Sequence, residues 1–141
     1  IVIPARLDSS RLPKKILLDL KGKTVIQRVY EQCLQVKNID AVYIATDSEE
    51  IKEVCQAFTK NVIITKSTHQ SGTDRIGEAV ENIDCDVVIN VQGDEPFIDP
   101  KLIEELVSSF EYTETPMAMH SIFLDHQYHS QEIIMKCLSL I

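Results

Sequence analysis

The 141-residue chain has no tryptophan, four glycines and four cysteines. Cys33, Cys55, Cys85 and Cys137 are widely spaced and form no C-x-x-C, so neither a zinc knuckle nor a redox pair is indicated. Cys33 and Cys55 fall on apolar helical positions; the four read as reduced, packed thiols of a cytoplasmic protein rather than as bridges or metal ligands. No apolar run approaches the roughly 20 residues of a bilayer span, which argues against a membrane partner. No stretch carries the basic, apolar and small-residue zones of a secretory leader. The chain opens on Ile1 rather than Met, so its natural start is expected to lie upstream. The P-loop pattern G-x-x-x-x-G-K-[ST] is missing. With no glycine before Gly22, the first loop cannot be a G-x-G-x-x-G dinucleotide fingerprint either.

Charge is present but unevenly placed. Residues 1–28 hold seven Lys and Arg against two Asp, a net of +5, while residues 29–141 hold seven against twenty, a net of -13. The acidic bulk argues against nucleic acid as a partner. A basic segment on such a chain fits a local anion site, or equally a basic surface patch of no consequence.

The hydrophobic pattern alternates short β-type runs with amphipathic helical stretches. "IVIPA" (1–5), "AVYIAT" (41–46), "NVIIT" (61–65) and "DVVINV" (86–91) read as strands, the last apolar as a central parallel strand is. Helical periodicity appears over 24–36, after Asp47 or Ser48, over 74–83, and after Asp99 with Pro100 at the first helical position. "PMAMHSIFL" (116–124) and the closing apolar run are candidate further strands. The fold expected is α/β: a mostly parallel sheet with helices on both faces, one domain over residues 1–141, with no internal repeat or linker. In such sheets the loops at the carboxyl ends of the strands form the ligand crevice. Three unusual stretches fall there: 4–15, 67–75 and 92–96.

The first stretch, "PARLDSSRLPKK", offers Arg6, Arg11, Lys14 and Lys15 with hydroxyls at Ser9 and Ser10. Arginine grips phosphate with paired donors and lysine adds a mobile charge, so the loop suits a triphosphate cradle; a solvated basic loop has the same composition. The last stretch ends an oily strand on Asp94 and Glu95. A carboxylate there suits Mg²⁺, which takes one or two carboxylates plus substrate phosphates; capping a turn or pairing with an arginine is the alternative. Adjacent residues of an extended chain point opposite ways, so Asp94 alone is the expected ligand. In the middle stretch, "THQSGTDR", Gly72 permits close backbone approach, and Ser71 and Thr73 suit the edge of a base. Arg75 lies where a helix dipole gives a cation nothing, so its partner is expected to be Asp74 or substrate. His69 reads as solvated rather than as a general base, and His120, His126 and His129 match no zinc spacing.

Together, "IPARLDSSRLPKK", "KGKTVIQRV", "IATDSEEI", "HQSGTDR" and "NVQGDEP" resemble the sugar-acid cytidylyltransferases, densely over residues 1 to about 100. "SSRLP" in place of a glycine- and serine-rich loop favours the branch using 3-deoxy-manno-octulosonate (Kdo) over the sialic-acid branch. The resemblance implies a Rossmann-like nucleotidyltransferase fold and transfer of CMP from CTP to Kdo, giving CMP-Kdo and pyrophosphate for lipopolysaccharide biosynthesis. It implies Mg²⁺ at Asp94, and Arg11, Lys15 and Asp94 as the residues carrying the chemistry. Ala5, Arg6, Ser71, Gly72, Thr73 and Arg75 would lie around the nucleotide, and Gln92 between nucleotide and sugar. A cytoplasmic homodimer is the family's implied state. Two positions depart from the pattern: Lys14 replaces a small residue and Ile16 a proline. Family members are longer, so these residues are expected to be the N-terminal portion of a longer chain that turns over poorly alone. A sialic-acid-type enzyme and an inactive CTP-binding fragment are the alternatives.

Overall fold

The computed structural model describes residues 1–7, 12–110, 119–122 and 131–137. Its elements are β1 (Val2–Ala5), a 3-10 turn (Lys15–Leu17), α1 (Val25–Cys33), β2 (Tyr43–Thr46), α2 (Glu49–Gln56), β3 (Val62–Ile64), α3 (Gly72–Val80), β4 (Val87–Asn90), α4 (Pro100–Phe110), β5 (Met119–Ile122) and β6 (Gln131–Cys137). The sheet order is β3-β2-β1-β4-β6-β5. The first four of these strands in space run parallel, and β6 joins β4, and β5 joins β6, antiparallel. The expected mostly parallel α/β sheet is therefore what the chain forms, with one refinement. β4 is parallel to β1 on one side only, and the two late strands form an antiparallel extension on its other edge.

Local sequence explains the elements. α1 buries Val25, Ile26, Val29, Tyr30 and Cys33, a spacing that keeps them on one helical face, and Thr24 Oγ1 accepts from the Gln27 N–H to cap it. Ser48, not Asp47, caps α2, and Glu49 and Glu50 sit in its first turn where the helix dipole favours negative charge. Asp99 Oδ1 accepts from the Lys101 N–H, and Pro100 opens α4. Between the 3-10 turn and α1, Lys21 and Gly22 both have positive φ (56° and 82°), and Asp19 and Thr24 bridge across them. Paired positive φ values are what a tight hairpin turn requires, which accounts for glycine in "KGK".

The sheet separates two apolar clusters. On one face Ile3, Ile44, Ile89 and Val91 pack against α1, α2 and α4 through Ile26, Val29, Ile51, Cys55, Ile103 and Leu106. On the other, Val2, Ala45 and Val88 pack against Ile76, Ala79 and Val80 of α3. Each fully buried isoleucine contributes roughly 1.5–3 kcal/mol, so Ile26→Ala, which cuts into the larger cluster, would cost about 2–5 kcal/mol. Burial pushes the Cys33 and Cys55 thiols up to about 12, which keeps them protonated and inert, as packed thiols should be.

Candidate functional site

The strand order places a topological switch between β1 and β4. Successive strands run outward from β1 through β2 to β3, and β4 then lies on β1's other side. Ligands of open α/β sheets bind outside the carboxyl ends at such a point. Here Pro4 opens it. The Val2 carbonyl accepts from Val91, so Val2 turns its backbone groups toward β4, and by alternation Pro4 does too. Proline has no N–H to extend that ladder. The β1–β4 register accordingly holds one pair, Val2 with Asn90, against four between β1 and β2.

All three unusual stretches meet at this proline. A Cβ added to Gly72 would lie 3.1 Å from Pro4 Cγ, and one added to Gly93 would lie 2.9 Å from the Pro4 carbonyl oxygen and 3.2 Å from Ile26 Cδ1. Glycine at 72 lets the start of α3 sit on β1. Glycine at 93 lets the turn after β4 fold over the same point. The Glu95 N–H closes that turn on the Gln92 carbonyl at 3.3 Å, and the Ile98 N–H donates to Glu95. The turn leaves Asp94 exposed and Glu95 half-buried.

Lys15 and Asp94, 79 residues apart, meet directly: Lys15 Nζ donates to Asp94 Oδ2 at 2.9 Å. Both side chains stay open to solvent, at 43% and 46% exposure. Ile16, buried beneath the 3-10 turn, anchors Lys15. The Lys14 N–H donates to the Leu7 carbonyl at 3.0 Å, tying together the two ends of the connection after β1. Lys14 itself turns away, to both carboxylate oxygens of Glu50 at 2.7 and 2.8 Å. Its φ of 55° lies in the left-handed region, where a non-glycine residue is strained. Arg6 is exposed beside buried Ala5. Arg11, and with it Ser9 and Ser10, lies outside the described residues.

The middle stretch differs from expectation in three ways. First, α3 begins at Gly72 rather than Asp74, because Ser71 Oγ accepts from the Asp74 N–H at 3.1 Å and donates to its carboxylate at 2.7 Å. Ser71 is thus a helix cap, and Gly72 and Thr73 belong to the first turn, whose N–H groups make an anion-favouring end. Second, the partner of Arg75 is not Asp74. Its guanidinium is buried and donates to Asp47 Oδ2 at 3.0 Å and to Thr65 Oγ1 at 2.6 Å. This locks the start of α3 to the ends of β2 and β3. Asp47 had the sequence appearance of a helix cap, and only the packing reveals its real partner. Third, His69 is not free in solvent: its Nε2 meets Glu78 Oε2, which also accepts from the Lys66 N–H. Those two contacts hold the Glu78 carboxyl below the usual carboxylate range.

Glu95 is pushed up to about 7, first by burial and then by repulsion from Asp94, with Lys15 opposing. Among the described residues no three His, Cys, Asp or Glu side chains gather into a metal cage. Mg²⁺ does not need one, since substrate phosphates supply much of its shell. Asp94 fits that part: it is solvent-open, stands at the switch point, and has Oδ1 without a partner among the described residues. Gln92 is half-buried beside it, its Nε2 facing Asn90 Oδ1 at 3.5 Å. Neither Asn90 nor Thr65 stood out in the sequence, and Arg75 did so without its partner Asp47. The two-residue spacing of Asn90 and Gln92 was the available signal for the first. No helix among the described residues is long and apolar enough to cross a membrane.

The chain is similar over most of its length to cytidylyltransferases. A 3-deoxy-manno-octulosonate cytidylyltransferase of Francisella tularensis subsp. novicida is 55% identical over 108 residues, 74% of this chain and 43% of that protein. The corresponding enzyme of Escherichia coli is 50% identical over 107 residues, covering 76% and 44%. A solved CMP:2-keto-3-deoxy-manno-octonic acid synthetase complexed with CTP superposes with a TM-score of 0.80 at 45% identity, over 86% of this chain and 52% of that one. The chain spans about half the length of these curated relatives. A cytidylyltransferase of Leptospira borgpetersenii, at 22% identity and a TM-score of 0.78 over 97% and 59%, shares the fold. The cytidylyltransferase family model matches residues 1–137, and the chain belongs to that family.

Proposed function

We propose that this protein transfers CMP from CTP to the sugar acid Kdo with the help of Mg²⁺. The observation that carries the reading is the meeting of Lys15 and Asp94 at the switch point between β1 and β4. A cation suited to phosphate and a carboxylate suited to a divalent ion stand together, each half-exposed. A magnesium-bound triphosphate offers both complementary charges, so it would exchange their mutual contact for two of its own. The similarity to a CTP-complexed synthetase supports the choice of nucleotide.

In this reading Lys15, Arg6 and Arg11 bind the phosphates. The N–H groups of Gly72 and Thr73 face the nucleotide at the dipole-positive end of α3. Gln92 stands between nucleotide and sugar. Asp94 would hold Mg²⁺, which when bound neutralises charge on the phosphates and the departing pyrophosphate. The anomeric oxygen of Kdo forms a bond to the α-phosphorus and loses its proton; the bond from that phosphorus to the bridging oxygen breaks, and pyrophosphate leaves with the electron pair. The buried Arg75 acts by holding α3 in place. The same reading carries a cytoplasmic homodimer.

The test is two-part. Calorimetry with CTP and Mg²⁺ measures binding by the chain, with saturable binding expected and its loss in Asp94→Ala. Pyrophosphate release with CTP and Kdo, beside sialic acid, measures transfer in the chain and in a version extended to the relatives' length. Release with Kdo alone supports the reading, and release only with sialic acid replaces Kdo. CTP binding without release by either version leaves a nucleotide-binding protein and overturns transfer.

A further inference from the structure

Asn90 ends β4 after Val87, Val88 and Ile89 and is 3% exposed. It lies in register with Val2, on the sheet face that packs against α3. Another branched aliphatic residue would continue the packing of the strand. Instead the position holds a carboxamide whose Nδ2 has no hydrogen-bond partner among the described residues. A buried donor in that condition costs stability, because it has left water without gaining a protein partner. A polar residue that costs stability where an apolar one would serve points to a use other than folding.

That use is visible at the other end of the same amide. Asn90 Oδ1 faces Gln92 Nε2 at 3.5 Å, the one side-chain hydrogen bond Gln92 makes among the described residues. A carboxamide that turns its NH₂ inward turns its carbonyl elsewhere, and Gln92 Oε1 has no hydrogen-bond partner among the described residues. Gln92 begins the turn that carries Asp94 to the switch point. We propose that Asn90 is a positioning residue for substrate recognition. It holds the Gln92 side chain so that its carbonyl is offered as an acceptor to an N–H or O–H donor of the bound substrates. The donor is the exocyclic amine of the nucleotide base or a hydroxyl of the sugar acid. The proposal rests on the CTP and Kdo reading above.

Asn90→Leu, close in size and apolar, tests it. The thermal midpoint is expected to match or exceed that of the parent chain, because an unpartnered buried amide has gone. Substrate affinity should nevertheless fall about tenfold, the scale of one hydrogen bond. A merely structural role would move both quantities the same way. Gln92→Leu should lose as much, and the double variant no more than either. Weaker binding of CTP assigns the acceptor to the base; a loss confined to Kdo, titrated into the CTP-loaded chain, assigns it to the sugar. Unchanged affinity for both ligands in Asn90→Leu, or losses that add in the double variant, overturns the proposal. Should Asn90→Leu melt below the parent, Asn90→Asp decides, since it keeps an oxygen facing Gln92: retained affinity supports the proposal and lost affinity overturns it. No CTP binding by the parent chain would sink the functional reading and this inference together. Parent binding that the variants leave intact sinks this inference alone.

Discussion

Two of the cation–carboxylate pairs at the carboxyl edge of this sheet differ in nearly everything but length. Arg75 and Asp47 meet at 3.0 Å with side chains 4% and 21% exposed; Lys15 and Asp94 meet at 2.9 Å with side chains 43% and 46% exposed. The first is held by a second partner, Thr65, and joins three elements of the fold. The second joins a short turn to a loop, with each side chain about half open to solvent. Desolvated charge must keep its partner, whereas solvated charge can exchange it. The buried pair therefore fixes the start of α3 against the ends of β2 and β3, and the open pair is available to a ligand. Distance alone would have ranked them as equals.

Breaking the buried pair should have the largest effect. Arg75→Met removes a buried guanidinium and leaves Asp47, largely covered, without its ion partner, and chemical denaturation should show a loss of about 3 kcal/mol. A loss below about 1 kcal/mol would remove the distinction between the pairs. Next comes Gly93→Ala, which touches the platform under Asp94 without touching either pair. Its methyl group would crowd the Pro4 carbonyl and Ile26, at a cost of about 1–3 kcal/mol by the same measurement, with weakened CTP binding because Asp94 is displaced. A neutral result would mean that the turn over β1 yields freely.

Lys15→Met and Asp94→Asn sharpen the comparison from the other side. Each should change stability by no more than about 1 kcal/mol, the scale of an exposed ion pair. Each should still abolish most magnesium-dependent CTP binding in calorimetry. Equal losses of stability and binding would make the open pair structural after all. The smallest effect concerns Glu78, whose carboxyl is held below its ordinary value by His69 and the Lys66 N–H. A lowered carboxylate contributes stability that is present above its unfolded pKa and is lost as pH falls through its folded one. Glu78→Gln should therefore lower the melting temperature slightly in the neutral range and flatten the acid limb, so that the two profiles converge at low pH. An unaltered acid limb would show that the His69–Glu78 contact is energetically idle.

Much of this was legible in the residues. The alternation of β-type runs with helical periodicity specified the parallel core of the sheet, because burial on two faces or one stripe leaves a periodic trace. Asp99 and Pro100 announced the start of α4 for a similarly local reason. The start of α3 was misplaced by two residues, since "SGTD" has the composition of a loop until Ser71 is seen to cap it. The partner of Arg75 was misjudged because Asp47 lies 28 positions away, in a sequence setting that suits a helix cap equally well. That Pro4, within the strand "IVIPA", is the seat for Gly72 and Gly93 could not be read from a single segment.

What the sequence determined by itself was the class of fold, the edge at which a ligand site would form, and the residue types that gather there. Those properties follow from local periodicity and from the chemistry of single side chains. Only the tertiary structure decided which charges face one another, which of them are dry, and that Asn90 stands behind Gln92 with an amide hydrogen-bond donor unspent among the described residues. Partnership and desolvation depend on segments distant in the chain being brought within about 3 Å, and no window of sequence contains that distance.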